Sequence, residues 1–113
     1  MTGLHVGELT PEQEDRVLYL ARYEVDLDNL ETAMAKRLEW DNVAPEGMKI
    51  VCEYAIHGQP PPFGGFFVFD TNDVEDLNFV VMYYGKTVRL DIRPCSDVLA
   101  AMEMTRKNLA AVT

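Results

Sequence analysis

Side chains that could do chemistry are few in this chain and do not cluster in the sequence. Among 113 residues there are two histidines, two cysteines and a single serine, Ser96. His57 stands out because it ends an alternating segment beside the stiff stretch Gly58-Gln59-Pro60-Pro61-Pro62-Phe63-Gly64-Gly65. A histidine can serve as acid, base or ligand at neutral pH; the plainer alternative is a hydrogen-bonded loop residue. His5 falls in a loose terminus and has weaker standing. Arg89 and Arg93 share a strand face with Asp91, so two guanidinium groups around one carboxylate could clamp a carboxylate or enolate of a small acid. The commoner role of such a row is a charged edge strand that discourages aggregation. Tyr19, Tyr23 and Tyr54 could line a cleft and hydrogen-bond a ligand, against the usual alternative of core rings with wet hydroxyls.

Other chemistries find no pattern. Cys52 and Cys95 lie far apart without C-x-x-C spacing, which reads as two small apolar core residues rather than a redox or zinc pair. No cluster of Cys, His or carboxylates has metal-ligand spacing, so no metal is expected. No cofactor is expected either, and a haem with His57 as axial ligand would rest on that one residue. The glycines form neither G-x-G-x-x-G nor G-x-x-x-x-G-K, and there is no G-x-S-x-G elbow.

The elements that must position these residues follow from periodicity. Val17–Val25 alternates, with Tyr19, Ala21, Tyr23 and Val25 on one face and Leu18, Leu20, Arg22 and Glu24 on the other. Asp28 and Glu31 have capping-box spacing, and Leu30, Ala33, Met34, Arg37, Leu38 and Asp41 recur at helical spacing, predicting a helix over Asn29–Asn42. Trp40 falls outside that stripe and is expected at a strand end, against a partner or on an exposed edge. Met48–His57 reads as a second strand with Met48, Ile50, Cys52, Tyr54 and Ile56 on one face. Phe66–Asp70 reads as a third strand after the proline loop, whose glycines permit reversal. Asn72 and Glu75 repeat the capping-box spacing ahead of a helix over Asp73–Tyr84 with the stripe Val74, Leu77, Val81 and Tyr84. Thr87–Cys95 forms the last strand. Ser96 is expected to cap a final helix with Val98, Ala101, Met102, Thr105, Leu109 and Val112 on one face. Thr10-Pro11-Glu12-Gln13 suggests a short helical turn over Pro11–Arg16, behind a loose Met1–Leu9.

Residues 1–16 therefore read as an N-terminal extension and 17–113 as one α+β domain of order βαββαβα. Two right-handed β-α-β crossovers around a hairpin give the ferredoxin-like split arrangement with an extra C-terminal helix. Both main helices cover one sheet face. The other face would carry large apolar groups, which are rare in contiguous patches on soluble monomers. Face-to-face pairing of two copies is the expected remedy, making the chain a homodimer.

The stretch Pro60-Pro61-Pro62-Phe63-Gly64-Gly65-Phe66-Phe67-Val68-Phe69-Asp70-Thr71-Asn72-Asp73, continued by Leu77–Gly85 and Val88–Pro94, resembles a small family of domains of unknown function within the dimeric α+β barrel superfamily. The likeness covers about Val17–Met104. It implies a barrel closed by two sheets across a two-fold axis. Some superfamily members bind small aromatic or polyketide-like compounds, or haem, in a cleft between sheet and helices. The matching family brings no assigned catalytic residues.

Bulk composition narrows the partners. Nineteen acidic against ten basic residues give a net charge of −9, which repels phosphate backbones and anionic lipid, so neither nucleic acid nor membrane is an expected partner. No apolar run resembles a signal or a membrane span, so the chain reads as cytoplasmic. Two functions remain. One is a homodimer binding a small apolar or acidic ligand in a cleft, with Tyr19, Tyr54, His57, Arg89 and Arg93 as its polar groups; whether it is an enzyme is left open. The other is a non-enzymatic interaction or regulatory module whose barrel is filled by side chains. An empty interior of several hundred Å³ would favour the first.

Overall fold

The computed structural model describes residues 17–58 and 62–112. The helical turn expected over Pro11–Arg16, the Met1–Leu9 segment, His5 and part of the proline loop lie outside the described residues.

Four strands and three longer helices follow in the order β1 (Val17–Val25), α1 (Leu30–Val43), β2 (Lys49–Ile56), β3 (Phe63–Thr71), α2 (Val74–Tyr84), β4 (Arg89–Cys95) and α3 (Val98–Val112), with a 3₁₀ turn at Leu27–Asn29 ahead of α1. The sheet order is β2-β3-β1-β4, and every neighbouring pair is antiparallel. This is the split βαββαβ arrangement, with α1 and α2 sharing one core with the sheet and the sheet of the single chain open rather than closed.

Register sorts β1 as its alternation predicts. Tyr19, Ala21 and Tyr23 pair with Phe69, Phe67 and Gly65 on one side, and with Pro94, Ile92 and Leu90 on the other. Ala21, Phe67 and Phe69 are buried, so this row faces the helices. Tyr19 stacks on Phe69 with ring centroids 5.6 Å apart. The opposite row, Leu18, Leu20, Arg22 and Glu24, pairs with Asp70, Val68, Phe66 and Gly64 on the outer face. That face is divided: apolar toward β2 and β3, charged toward β4, where Arg89 and Asp91 oppose Glu24 and Arg22.

Several expectations are corrected. β2 carries a bulge between Ile50 and Cys52, so Ile50 pairs with core-facing Phe69 whereas Cys52 and Tyr54 pair with outer-facing Val68 and Phe66. An extra residue in one strand reverses the alternation beyond it. Tyr54 thus does not share a face with Ile50, and Glu53, paired with Phe67, turns toward the helices. β3 starts at Phe63 rather than Phe66, so Gly64 and Gly65 lie inside the ladder. The left-handed backbone of the turn belongs to Gly58, at φ 83°.

The helices are also rotated from their expected stripes. Trp40 is 3% exposed rather than on an edge, and it packs among α2 rings, 5.7 Å from Tyr84 and 5.8 Å from Phe79. Leu38 is 79% exposed instead. In α2 the buried residues are Val80 and Tyr84, and Val74 and Val81 face outward. Asp73, not Asn72, caps α2, accepting from Glu75 N–H at 2.9 Å, and Asp97, not Ser96, accepts from Ala100 N–H at 3.1 Å ahead of α3. The Asp28 and Glu31 box does not form, because the 3₁₀ turn places Asn29 at the cap and no side chain bonds there. No residue of α3 is buried.

Candidate functional site

Between α1 and the helix-facing side of the sheet lies a cavity of about 500 Å³. Its floor comes from Tyr23 and Val25 of β1, Phe63, Gly64 and Phe67 of β3, and Leu90 of β4 with Val88 just before it. Leu30, Ala33, Met34 and Arg37 of α1 form the roof, Tyr84 of α2 closes one side, and Glu53, Ala55, Ile56 and His57 supply the β2 edge. The wall is chiefly apolar because β1 and β3 offer alternating apolar side chains to this face, and because Ala55, on the helix-facing side of β2, leaves room where a larger residue would fill it.

The polar groups are few and placed by specific local features. The bulge in β2 brings Glu53 round to meet Arg37, which projects from α1 four residues after Ala33. Arg37 Nε donates to both Glu53 carboxylate oxygens, at 3.2 and 2.9 Å, and its Nη2 also donates to Oε1. This forked, charge-assisted geometry is the strong form of the pair, and it raises the Arg37 pKa above its ordinary value. Both side chains remain 39% exposed, so the pair's stabilisation is partly screened. Asp41 stands 3.8 Å from Arg37 as a weaker second partner.

Two phenols complete the wall. Burial pushes Tyr84 up to about 12. Tyr23 is also raised, by burial first and then by the charge of Glu53. Both therefore stay protonated at neutral pH. A second, more open hollow lies beyond the ion pair, lined by Trp40, Asp41, Pro45 and Glu46 among others, and Arg37 and Glu53 border both spaces.

Of the five residues singled out from the sequence, His57 lines the cavity. Tyr19 lies on the same sheet face, stacked on Phe69. Tyr54 is on the outer face, 50% exposed and tilted against Phe66 at 5.6 Å. Arg89 and Arg93 are also outer-face residues. Arg89 donates to Asp26 at 3.0 Å and to Glu24 at 3.2 Å, and Arg93 donates to Asp91 at 2.9 Å. Side-chain hydrogen bonds to these carboxylates raise both arginine pKa values. Sequence reasoning did not pick out Arg37, Glu53 or Tyr84. A usable signal was present for two of them: one charge within an apolar helical stripe and one of opposite sign within an apolar strand. Among the described residues no group of three or more His, Cys, Asp or Glu could hold a metal ion.

The class of fold is that of ferredoxin-like α+β proteins, with a cleft between sheet and helix. The chain is similar to the crystal structure of a protein named "Putative antibiotic biosynthesis monooxygenase" from Bacteriodes thetaiotaomicron. The two share 18% identity at a TM-score of 0.50, over 75% of this chain and 91% of that one. A de novo designed protein, Foldit4, aligns at 12% identity and a TM-score of 0.42, over 73% of this chain and 98% of its own. No curated protein matches. Residues 17–109 match the family model for the domain of unknown function DUF3303, and the chain belongs to that family.

Proposed function

We propose that the protein binds a small, largely apolar molecule in the cavity between α1 and the sheet. The observation that carries this reading is the cavity itself: about 500 Å³, walled mainly by apolar side chains and furnished with Tyr23, Tyr84, His57 and the Arg37–Glu53 pair. Small-molecule sites have this size and this ratio of apolar wall to polar group. A side-chain-filled interior, as an interaction module would have, is disfavoured by the same volume. The similarity to a monooxygenase structure supports the fold only.

The same reading has two copies joined through the outer sheet face. Leu18, Leu20, Phe66 and Val68 share that face, turned away from α1 and α2. An isologous contact would cover them, and the charged β4 side would form its rim.

The test uses an uncharged fluorescent probe, N-phenyl-1-naphthylamine, with wild-type protein and Ala55→Trp, in which an indole grows from an exposed position on the cavity wall. Saturable binding by the wild type, weakened at least about tenfold by the filled variant, supports the reading; binding indifferent to Ala55→Trp refutes it. Sedimentation equilibrium should give a dimer that Val68→Asp dissociates with unchanged circular dichroism. A wild-type monomer at micromolar concentration refutes the dimer alone.

A further inference from the structure

We infer that Glu53 sets the charge selectivity of this cavity, so that it takes an uncharged molecule and turns away a carboxylate or sulfonate of the same shape. The inference rests on the cavity reading above and deepens it by naming the class of ligand.

Arg37 is the arginine on the cavity wall; its Nε–Nη2 edge is already engaged, and its Nη1 stands 3.8 Å from a second carboxylate, that of Asp41. Nε reaches both oxygens of Glu53, at 3.2 and 2.9 Å, and Nη2 reaches Oε1 as well. A guanidinium binds an anion best through two parallel N–H groups, and here a carboxylate of the protein's own occupies that fork. The pair sums to no net charge. An incoming anion must therefore settle beside the Glu53 carboxylate or pull Arg37 away from it, leaving that carboxylate without its partner. Either course is costly where water is partly excluded. Tyr23 and Tyr84 offer hydroxyls that suit an uncharged acceptor such as a carbonyl. The chain's net charge of −9 biases the whole surface in the same direction.

The experiment compares two probes sharing one ring system, N-phenyl-1-naphthylamine and 1-anilinonaphthalene-8-sulfonate, titrated by fluorescence at pH 8, where histidine side chains are ordinarily uncharged. Wild type is expected to bind the uncharged probe at least about tenfold more tightly, a difference of about 1.4 kcal/mol. Glu53→Gln keeps the shape, removes the charge and frees the Arg37 fork. It should raise affinity for the sulfonate about tenfold, with the uncharged probe changing less than about threefold. Arg37→Leu with Glu53→Leu removes the freed cation too and should show no such gain, which separates the charge effect from a loosened wall.

Equal wild-type affinity for the two probes overturns the inference without needing any variant. So does a ratio unmoved by Glu53→Gln in protein whose circular dichroism is unchanged. These outcomes leave the cavity reading standing provided that binding still depends on Ala55; if neither probe shows Ala55-dependent binding, both fall together.

Discussion

Gly65→Ala isolates a close approach on which the cavity floor depends. A Cβ built at Gly65 would sit 2.3 Å from the Tyr54 carbonyl oxygen and 2.5 and 2.8 Å from Oη and Cζ of Tyr23. The first contact falls more than 1 Å short of the 3.4 Å at which ordinary packing begins. The two obstacles differ in kind. The Tyr23 ring ends a side chain and can swing, whereas the Tyr54 carbonyl is backbone of β2, whose neighbour Ala55 is registered against Gly65 itself. Relief therefore requires β2 and β3 to part locally. Overpacking of this sort costs about 1–3 kcal/mol, and a weakened ladder hydrogen bond adds about 1 kcal/mol. Restricting the unfolded chain returns about 0.4–1 kcal/mol. The expected net loss is about 2 kcal/mol, or roughly 8–16 °C in Tm for a domain of this size. Urea unfolding followed by the fluorescence of Trp40, the single tryptophan and 3% exposed, reads it directly. Gly47→Ala is the control, since a Cβ at that position would meet nothing within 4 Å, and it should be neutral or stabilising by a few tenths of a kcal/mol. Tyr23→Phe in the Gly65→Ala background removes the hydroxyl contact but not the carbonyl one, so it should restore less than half the loss. A Gly65→Ala cost below about 0.5 kcal/mol, or full rescue by Tyr23→Phe, would refute the backbone-clash reasoning.

Trp40→Ala should cost about 3–5 kcal/mol in urea unfolding followed by circular dichroism, since the variant lacks the tryptophan reporter, because it empties a ring cluster shared by Phe79, Tyr83 and Tyr84; a loss near 1 kcal/mol would mean that cluster repacks around the void. Tyr84 supplies a pH dependence: its phenol is held up to about 12 by burial, so between the ordinary tyrosine value of 10.0 and that point the native state keeps a proton the unfolded chain has lost. Stability present below pH 10 should then fall as pH rises, by about 2–3 kcal/mol overall. Tyr84→Phe should flatten this dependence when unfolding free energies at pH 9 and 11 are compared. Met102→Glu with Leu109→Glu on α3, where no residue is buried, should move the unfolding free energy by less than about 0.5 kcal/mol per site; a larger loss would show that the helix is covered in the assembled protein.

The order and type of elements were legible because β4 alternates, β1 is a short apolar run that turns to alternation at Arg22 and Glu24, and Pro and Gly punctuate the chain between α1 and β2. Helix rotation was not. Apolar residues in α1 are spread over Leu30, Ala33, Met34, Leu38, Trp40 and Val43, so no single stripe dominates, and the largest side chain decides which side is buried. Facing inward, Trp40 packs against Phe79, Tyr83 and Tyr84 of α2, and that turn carries Leu38 outward. α2 behaves alike: Val80 and Tyr84 are buried four residues apart where the spacing from Val74 to Val81 offered an equally regular alternative. Periodicity ranks faces by composition, whereas packing ranks them by how well the facing volumes match.

The site was hidden by a single residue of register. Ile50-Val51-Cys52 is apolar throughout, so nothing in its pattern marks where the bulge falls, yet that bulge decides whether Tyr54 or Glu53 looks toward α1. With strict alternation from Ile50, the tyrosine would face the helices and the carboxylate would face away, leaving Arg37 with Asp41 at 3.8 Å as its remaining partner. The extra residue exchanges them. It places an ion pair on the wall of an apolar cavity and a half-exposed ring on the outer face beside Phe66. Cavity polarity and outer-face character are thus set together by one irregularity in an edge strand, so a deletion of Val51 should alter both at once: Glu53 withdrawn from Arg37, and Tyr54 brought to the helix-facing side.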